Sequence, residues 1–176
     1  MRAFTLMELM LALLIAGLLA GVVSLSLASP VRAAGFEDAV EQVIGIDRHV
    51  RQRAIATGRP SQMLFQLHRD QIACVDPDMQ LAQRPPFNLP AGCRLVWVAT
   101  AHDLTHGGLR GIAGDATIHC SSLGMTPSYA FELAGAEDQR AFVLICGLTG
   151  DAIRLESEQD VEKLLRLPQE ARDDAD

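Results

Sequence analysis

Apolar residues run almost unbroken from Leu9 to Ala28, with no charged side chain among them, and Glu8 stands at the near edge of the run. About 20 such residues wound as a helix match the hydrocarbon thickness of a bilayer, so the pattern predicts a membrane-spanning N-terminal helix over 4–29. Pro30 follows where that helix would leave the membrane and predicts a kink or short break there. Beyond it the spacing changes. Phe36, Val40, Val43, Ile46 or Asp47, Val50 and Ala54 recur every three or four residues, which is one apolar face of a helix. This amphipathic helix is expected over 36–57, stopped by Gly58 and Pro60. Glu37, Glu41 and Asp47 precede Arg48, Arg51 and Arg53, the order the helix dipole favours, and Asp47 with Arg51 is a favourable i,i+4 pair. The cluster Arg48, Arg51, Arg53 and Arg59 reads as a solvated helix face.

From Ser61 onward the apolar positions come in short runs. Gln62 to Leu67 and Gln71 to Val75 read as a hairpin turning at His68-Arg69-Asp70, and Arg94 to Thr100 (RLVWVAT) reads as a strand. Further short strands are expected at Thr117–Cys120, Tyr129–Leu133, Ala141–Cys146 and Ile153–Leu155, with loops at Asp76–Gly92, rich in proline, and at His102–Asp115, rich in glycine. Connections this tight imply antiparallel pairing. After Leu155, Ser157-Glu158-Gln159-Asp160 is a capping-box-like start, and Val161, Leu164, Leu165 and Leu167 mark a short amphipathic helix closed by Pro168. The chain therefore reads as α+β, a long helix laid on an antiparallel head over 30–155, followed by an acidic tail over 156–176 that docks on the head or on a neighbour.

With 176 residues, the chain has room for the anchor and one head domain. Its net charge of −7 is uneven: from Glu156 to Asp176 eight acids face Lys163, Arg166 and Arg172, a balance of −5 that leaves −2 for the rest. Nucleic acid draws a basic stripe, so it is disfavoured as a partner. Cys74, Cys93, Cys120 and Cys146 form an even set beyond the anchor, which suits two disulfides in an exported domain. Pairing Cys74 with Cys93 and Cys120 with Cys146 is preferred among three connectivities; buried thiols are the alternative.

Candidate chemistry is sparse. His102-x-x-x-His106 has metal-ligand spacing only if helical, and the glycines around it argue otherwise. His119 beside Cys120 invites a nucleophile reading, yet no orienting acid follows from the spacing. No phosphate-cradling loop occurs. The chain reads as non-enzymatic, with no metal and no cofactor. Gly17-Leu18-Leu19-Ala20-Gly21 is a small-xxx-small pattern of the kind that lets helices approach closely in lipid.

The start Ala3-Phe4-Thr5-Leu6-x-Glu8 resembles the class III leader of type IV prepilins and pseudopilins, with Ala3 where that family usually has Gly. The resemblance implies a three-residue leader cut between Ala3 and Phe4 by a prepilin peptidase, N-methylation of Phe4, and a role for Glu8 in assembly, its carboxylate meeting the N-terminus of a neighbouring subunit. A carboxylate at the hydrocarbon edge costs about 2–3 kcal/mol without a partner, which gives such a pairing its driving force. The stretch Asp47 to Pro60 and the closing segments Leu123-Gly124, Tyr129 to Leu133, Arg140 to Ile145 and Thr149-Gly150-x-x-x-Arg154 are similar to the general secretion pathway H / FimT pseudopilins.

That family implies a type IV pilin-like fold and a minor pseudopilin of a type II secretion system. It would be single-pass in the inner membrane with a periplasmic head, joined to major and minor pseudopilins through its N-terminal helix. A minor type IV pilin of a surface or DNA-uptake pilus is the related alternative. From another class, a soluble exported binding protein or enzyme would carry a conventional signal peptide cut near Val31-Arg32-Ala33-Ala34.

Overall fold

A computed structural model describes residues 6–75, 85–100, 114–136 and 138–173, with side chains described throughout except at 12, 20–34 and 167–173. Ala3 and Phe4, the pair His102 and His106, and most of the two expected loops lie outside the described residues, as do the surroundings of Gly21.

One helix, α1 (Leu6–Thr57), runs for 52 residues, about 78 Å at 1.5 Å per residue. It passes through Pro30 without the expected break. Proline forfeits one amide donor there, but its fixed φ near −65° is itself helical, so the ladder resumes on either side. The helix ends where expected. Gly58 adopts φ +63° and its amide bonds the Ile55 carbonyl, a left-handed cap that glycine meets without steric cost.

Among the described residues the head comprises two four-stranded antiparallel sheets rather than one. The first has the order β3-β2-β1-β5, from β1 (Ser61–Gln66), β2 (Gln71–Val75), β3 (Phe87–Asn88) and β5 (Ala116–Cys120). The second has the order β4-β6-β7-β8, from β4 (Arg94–Thr100), β6 (Tyr129–Ala134), β7 (Arg140–Ile145) and β8 (Ala152–Leu155). The β1–β2 hairpin forms in the expected place, with Phe65 opposite Ile72 and Met63 opposite Cys74. Its turn is a 3-10 helix, Leu67–Arg69, closed by Asp70 at φ +51°. Asp70 then joins the sheets, its carboxylate accepting from the Leu95 amide at 2.9 Å and its carbonyl from the Leu89 amide at 3.0 Å.

The inner faces of both sheets and one stripe of α1 close a single core. Phe36, Ala39, Val40, Val43, Ile44, Val50 and Ala54 come from the helix, Met63, Phe65, Ile72 and Ile118 from the first sheet, and Val98, Tyr129, Phe131, Leu133, Val143 and Ile145 from the second. Phe65 bridges the sheets, its ring centroid 5.9 Å from that of Tyr129 and 6.5 Å from that of Phe131. In β4 the alternation breaks. Leu95 pairs with Leu133 and Trp97 with Glu132, so Val96 is an inserted residue and Leu95 and Val98 share the inner face. Trp97 and Ala99 consequently face outward.

That outward face is covered by a second helix, α2 (Glu158–Asp173), which seats Val161 and Leu165 on Trp97, Ala99, Ala130, Phe142 and Leu144. The tail thus docks on its own head, and β6 is buried on both sides. Ser157 caps α2, its hydroxyl accepting from the Asp160 amide at 3.2 Å. Pro168, expected to end this helix, lies inside it, for the reason that holds at Pro30.

Neither expected disulfide is present: all four cysteines are described, and no bridge joins any of them. Cys120 points into the core on β5, its thiol donating to the neighbouring Ser121 carbonyl at 3.6 Å. Cys146 is turned into its own β7–β8 turn, where a hydrogen bond from the Thr149 hydroxyl holds its thiol below the usual range. Burial instead raises the thiols of Cys93 and Cys120.

Candidate functional site: the two halves of the long helix

α1 is two helices in one. In its N-terminal half Leu6, Met7, Leu9, Met10, Leu11, Leu13, Leu14, Ile15, Leu18 and Leu19 are all exposed, from 49% at Ile15 to 82% at Met7. Nothing lies within 4 Å of where a Gly17 Cβ would be, so its small size leaves an open notch on this stalk. Glu8 is the acidic residue of the first turn and is exposed beside the same apolar surface. Among the described residues no helix is long and apolar enough to cross a membrane; the side chains of 20–34, which complete the apolar run, are outside that set. An exposed apolar surface of this extent marks a site of association.

The C-terminal half is fixed by a buried ionic junction. The apolar stripe takes Asp47, not Ile46, to its centre, and Arg51 one turn later is buried with it rather than solvated as expected. Asp47 is 1% and Arg51 6% exposed. Arg51 Nε donates to Asp47 Oδ2 at 2.7 Å, and the Tyr129 hydroxyl donates to Asp47 Oδ1 at 2.9 Å. Arg51 Nη1 reaches the carbonyls of Gly124 (3.0 Å) and Gly147 (2.8 Å), and Nη2 reaches Thr126 Oγ1 (2.6 Å) and the Cys146 carbonyl (3.4 Å). One guanidinium therefore ties the helix to the β5–β6 and β7–β8 turns.

The turns are shaped to receive it. Thr126 N bonds the Gly147 carbonyl at 3.0 Å, joining the two, and a Cβ on Gly150, at φ +77°, would sit 3.2 Å from Arg51 Cδ. Burial, then the neighbouring Asp47 carboxylate and its hydrogen bond, hold the Tyr129 phenol well above its usual range. A second tie lies nearer the stalk, where Arg154 of β8 bonds Glu37 and, at 3.0 Å, Glu41, all three well exposed. Of the rest of the basic cluster, Arg48 is exposed and Arg53 half-buried on the helix, and Arg59 is exposed just beyond its end.

Asp47 is legible in the sequence as an ambiguity, since the three-and-four spacing runs through either Ile46 or Asp47; the i,i+4 spacing to Arg51 is equally that of a surface pair and gives no sign that both lie inside. The expected chemistry of β5 separates: His119 is exposed and Cys120 buried, as alternation on a strand requires. Among the described residues no group of three His, Cys, Asp or Glu side chains could hold a metal. A mostly apolar groove of about 630 Å³ runs beside α1, with Asp38, Glu41 and His49 along one wall and Ile72, Cys74 and Phe87 along the other.

No family model matches the chain, and no curated protein matches it. Among solved structures the chain is similar to the minor pseudopilin EpsH from the type 2 secretion system of Vibrio cholerae, with 10% identity over 68% of this chain and 95% of that one, at a TM-score of 0.49. It is similar also to the type IV minor pilin FimU of Pseudomonas aeruginosa strain PAO1, with 11% identity over 70% and 90% of the two chains, at a TM-score of 0.47.

Proposed function

We propose that this chain is a pilin-like structural subunit that works by assembly rather than catalysis, and more narrowly a minor pseudopilin of a type II secretion system. The observation that carries the reading is the division of α1: one continuous helix whose last turns are locked into a folded head while its first turns present an unbroken, uncovered apolar surface. Such a surface calls for lipid before assembly and for other helices after it. The uncharged run Leu9–Ala28 supports insertion in the inner membrane. The leader-like Ala3-Phe4-Thr5-Leu6-x-Glu8 supports peptidase cleavage before Phe4 and its methylation, and Gly17 and Gly21 give close-packing points between subunits.

Glu8 is the assembly residue in this reading, its carboxylate neutralised by the new amine of a neighbour's Phe4. The acidic balance of −7 favours protein export over DNA uptake.

Intact mass and N-terminal sequencing of the protein from its native membrane test the reading. A methylated Phe4 start supports a pilin-type subunit; a start near Ala34 removes the apolar stalk and sinks it. Deleting the gene then separates the branches, since loss of exported enzymes with surface pili intact fits a pseudopilin and the reverse fits a pilin.

A further inference from the structure

Two turns of the head carry apolar side chains where turn positions are ordinarily polar. Leu123 in the β5–β6 turn is 71% exposed and Leu148 in the β7–β8 turn 74%, and Ile55 of α1, itself exposed, lies with its Cδ1 against Gly124. Among the described residues six large apolar side chains outside the stalk are exposed, and these three with Met125 make four of them. The turns are held rather than free to fold inward. The Gly124 amide bonds the Ser121 carbonyl at 2.9 Å, the Met125 amide bonds Ser121 Oγ at 3.1 Å, and the Gly150 amide bonds the Cys146 carbonyl at 2.8 Å. Gly124 and Gly147, the neighbours of Leu123 and Leu148, share one Arg51 nitrogen through their carbonyls. The result is a rigid apolar knob, which marks a site of association and loses little freedom on binding.

The groove beside α1 is its counterpart on the same molecule. Ile46, Ile72 and Phe87 give it apolar walls, and it carries two exposed carboxylates, Asp38 and the Glu41 that Arg154 also contacts. The knob has the opposite charge at its edge. Arg48, seven positions before Ile55 and so on the same helix face, and Arg59, just past the helix end, are exposed beside it, against one exposed acid, Asp151. Among the described residues no ion pair engages Asp38, Arg48 or Arg59. The knob lies on the flank of α1 toward β7 and β8, the groove on the flank toward β2 and β3, so one copy presents both at once. We propose that the knob of one copy of this chain seats in the groove of a second copy, Leu123 and Leu148 on the apolar walls and the two arginines on the side of Asp38. Knob and groove are different surfaces, so the contact is heterologous: each added copy leaves one of them free, and copies add in series instead of closing as a dimer. The contact lies wholly in the head and is independent of whether the stalk enters a membrane.

The test uses the full chain in detergent micelles, with the photocrosslinker benzoylphenylalanine in place of Leu148 and isotope-labelled and unlabelled copies mixed in equal amounts. Peptide mapping should place mixed-isotope crosslinks on 38–49 or on Ile72 and Phe87 of the other copy. Crosslinks confined to one copy, or crosslinks between copies that fall on the stalk or elsewhere on the head, overturn the proposal. So do crosslinks made solely to a different protein when the same chain is irradiated in its native membrane. Charge exchange tests the match separately. Arg48→Asp with Arg59→Asp, and in another chain Asp38→Arg, should each lower the yield between copies by about tenfold or more, since each sets like charges against one another. All three substitutions in one chain should recover most of that yield; a triple variant no better than its parents overturns the proposal. These three side chains are exposed, so the variants should keep the unfolding midpoint of the parent, which separates loss of the contact from loss of the fold.

Discussion

Arg51 and Asp47 form a 2.7 Å ion pair one helical turn apart inside the core, and the guanidinium spends its remaining donors on two turns more than seventy positions away in sequence. This pair makes the long helix and the head one body. Removing one partner of a buried pair leaves the other charged and unsatisfied, which costs about 3–5 kcal/mol. Arg51→Ala is therefore expected to destabilise the head by that amount in urea unfolding. Arg51→Lys should recover little of it, because an ammonium cannot span Asp47, Thr126 and both glycine carbonyls at once. A lysine variant as stable as the parent would show that charge alone holds the junction.

Arg154 offers the contrast. It also carries two carboxylate contacts, to Glu37 and Glu41, but all three side chains are between 42% and 62% exposed. Solvent screening reduces such contacts to about 0–1 kcal/mol together. Arg154→Ala should leave the unfolding midpoint nearly unchanged, and raising salt should narrow the difference further; a loss comparable with that of Arg51→Ala would assign Arg154 to the core.

What could be read in the chain beforehand divides along a physical line. Positions governed by local periodicity were legible: the buried stripe from Phe36 to Ala54, the hairpin at 61–75, and strand β4 with its bounds. Positions decided by a partner distant in sequence were not. Arg51 has the local signature of a surface residue, and only the turns at 124–126 and 146–147 turn it inward. The extra residue Val96 reverses which β4 side chains face α1, a choice made by pairing with β6. The even set of four cysteines suggested bridges, but their strands place Cys120 in the core and Cys146 in a turn of its own.

Glycines at the junction should respond according to what surrounds them. A Cβ on Gly147 would lie 2.1 Å from the Thr126 carbonyl oxygen and 2.6 Å from the Pro127 carbonyl carbon and the Ser128 amide nitrogen. That continuous backbone of the facing turn cannot yield without breaking the joined turns. Gly147→Ala should cost at least about 2 kcal/mol, as overpacking against fixed backbone does. Gly45, on α1, has nothing within 4 Å, so Gly45→Ala should stabilise the helix by up to about 1 kcal/mol. Thermal unfolding of the two variants side by side checks both signs, and a neutral Gly147→Ala would mean that the two turns are not pinned together.

Tyr129, the sole tyrosine of the chain, is fully buried with its hydroxyl on Asp47, and its phenol is held well above the ordinary value of 10.0. The folded state thus keeps a proton that the unfolded state releases. A raised pKa contributes stability that is complete below the unfolded value and is lost as pH climbs above it. Below about pH 10 the phenol has no effect on the pH slope. Above it, stability should fall by up to about 1.4 kcal/mol per pH unit on this account alone. The thiols of Cys93 and Cys120 are also raised and add a fall of the same sign from lower pH, so the tyrosine must be isolated by difference. Tyr129→Phe should lose about 1–3 kcal/mol near neutral pH, because Asp47 gives up a buried donor, and its deficit relative to the parent should shrink above pH 10 as the parent alone pays the proton penalty. Tyrosinate absorbance in the folded parent should stay silent until the head unfolds. A tyrosine that titrates near 10 in the folded chain, or a deficit constant across that range, would place its hydroxyl in water and leave Asp47 with Arg51 alone.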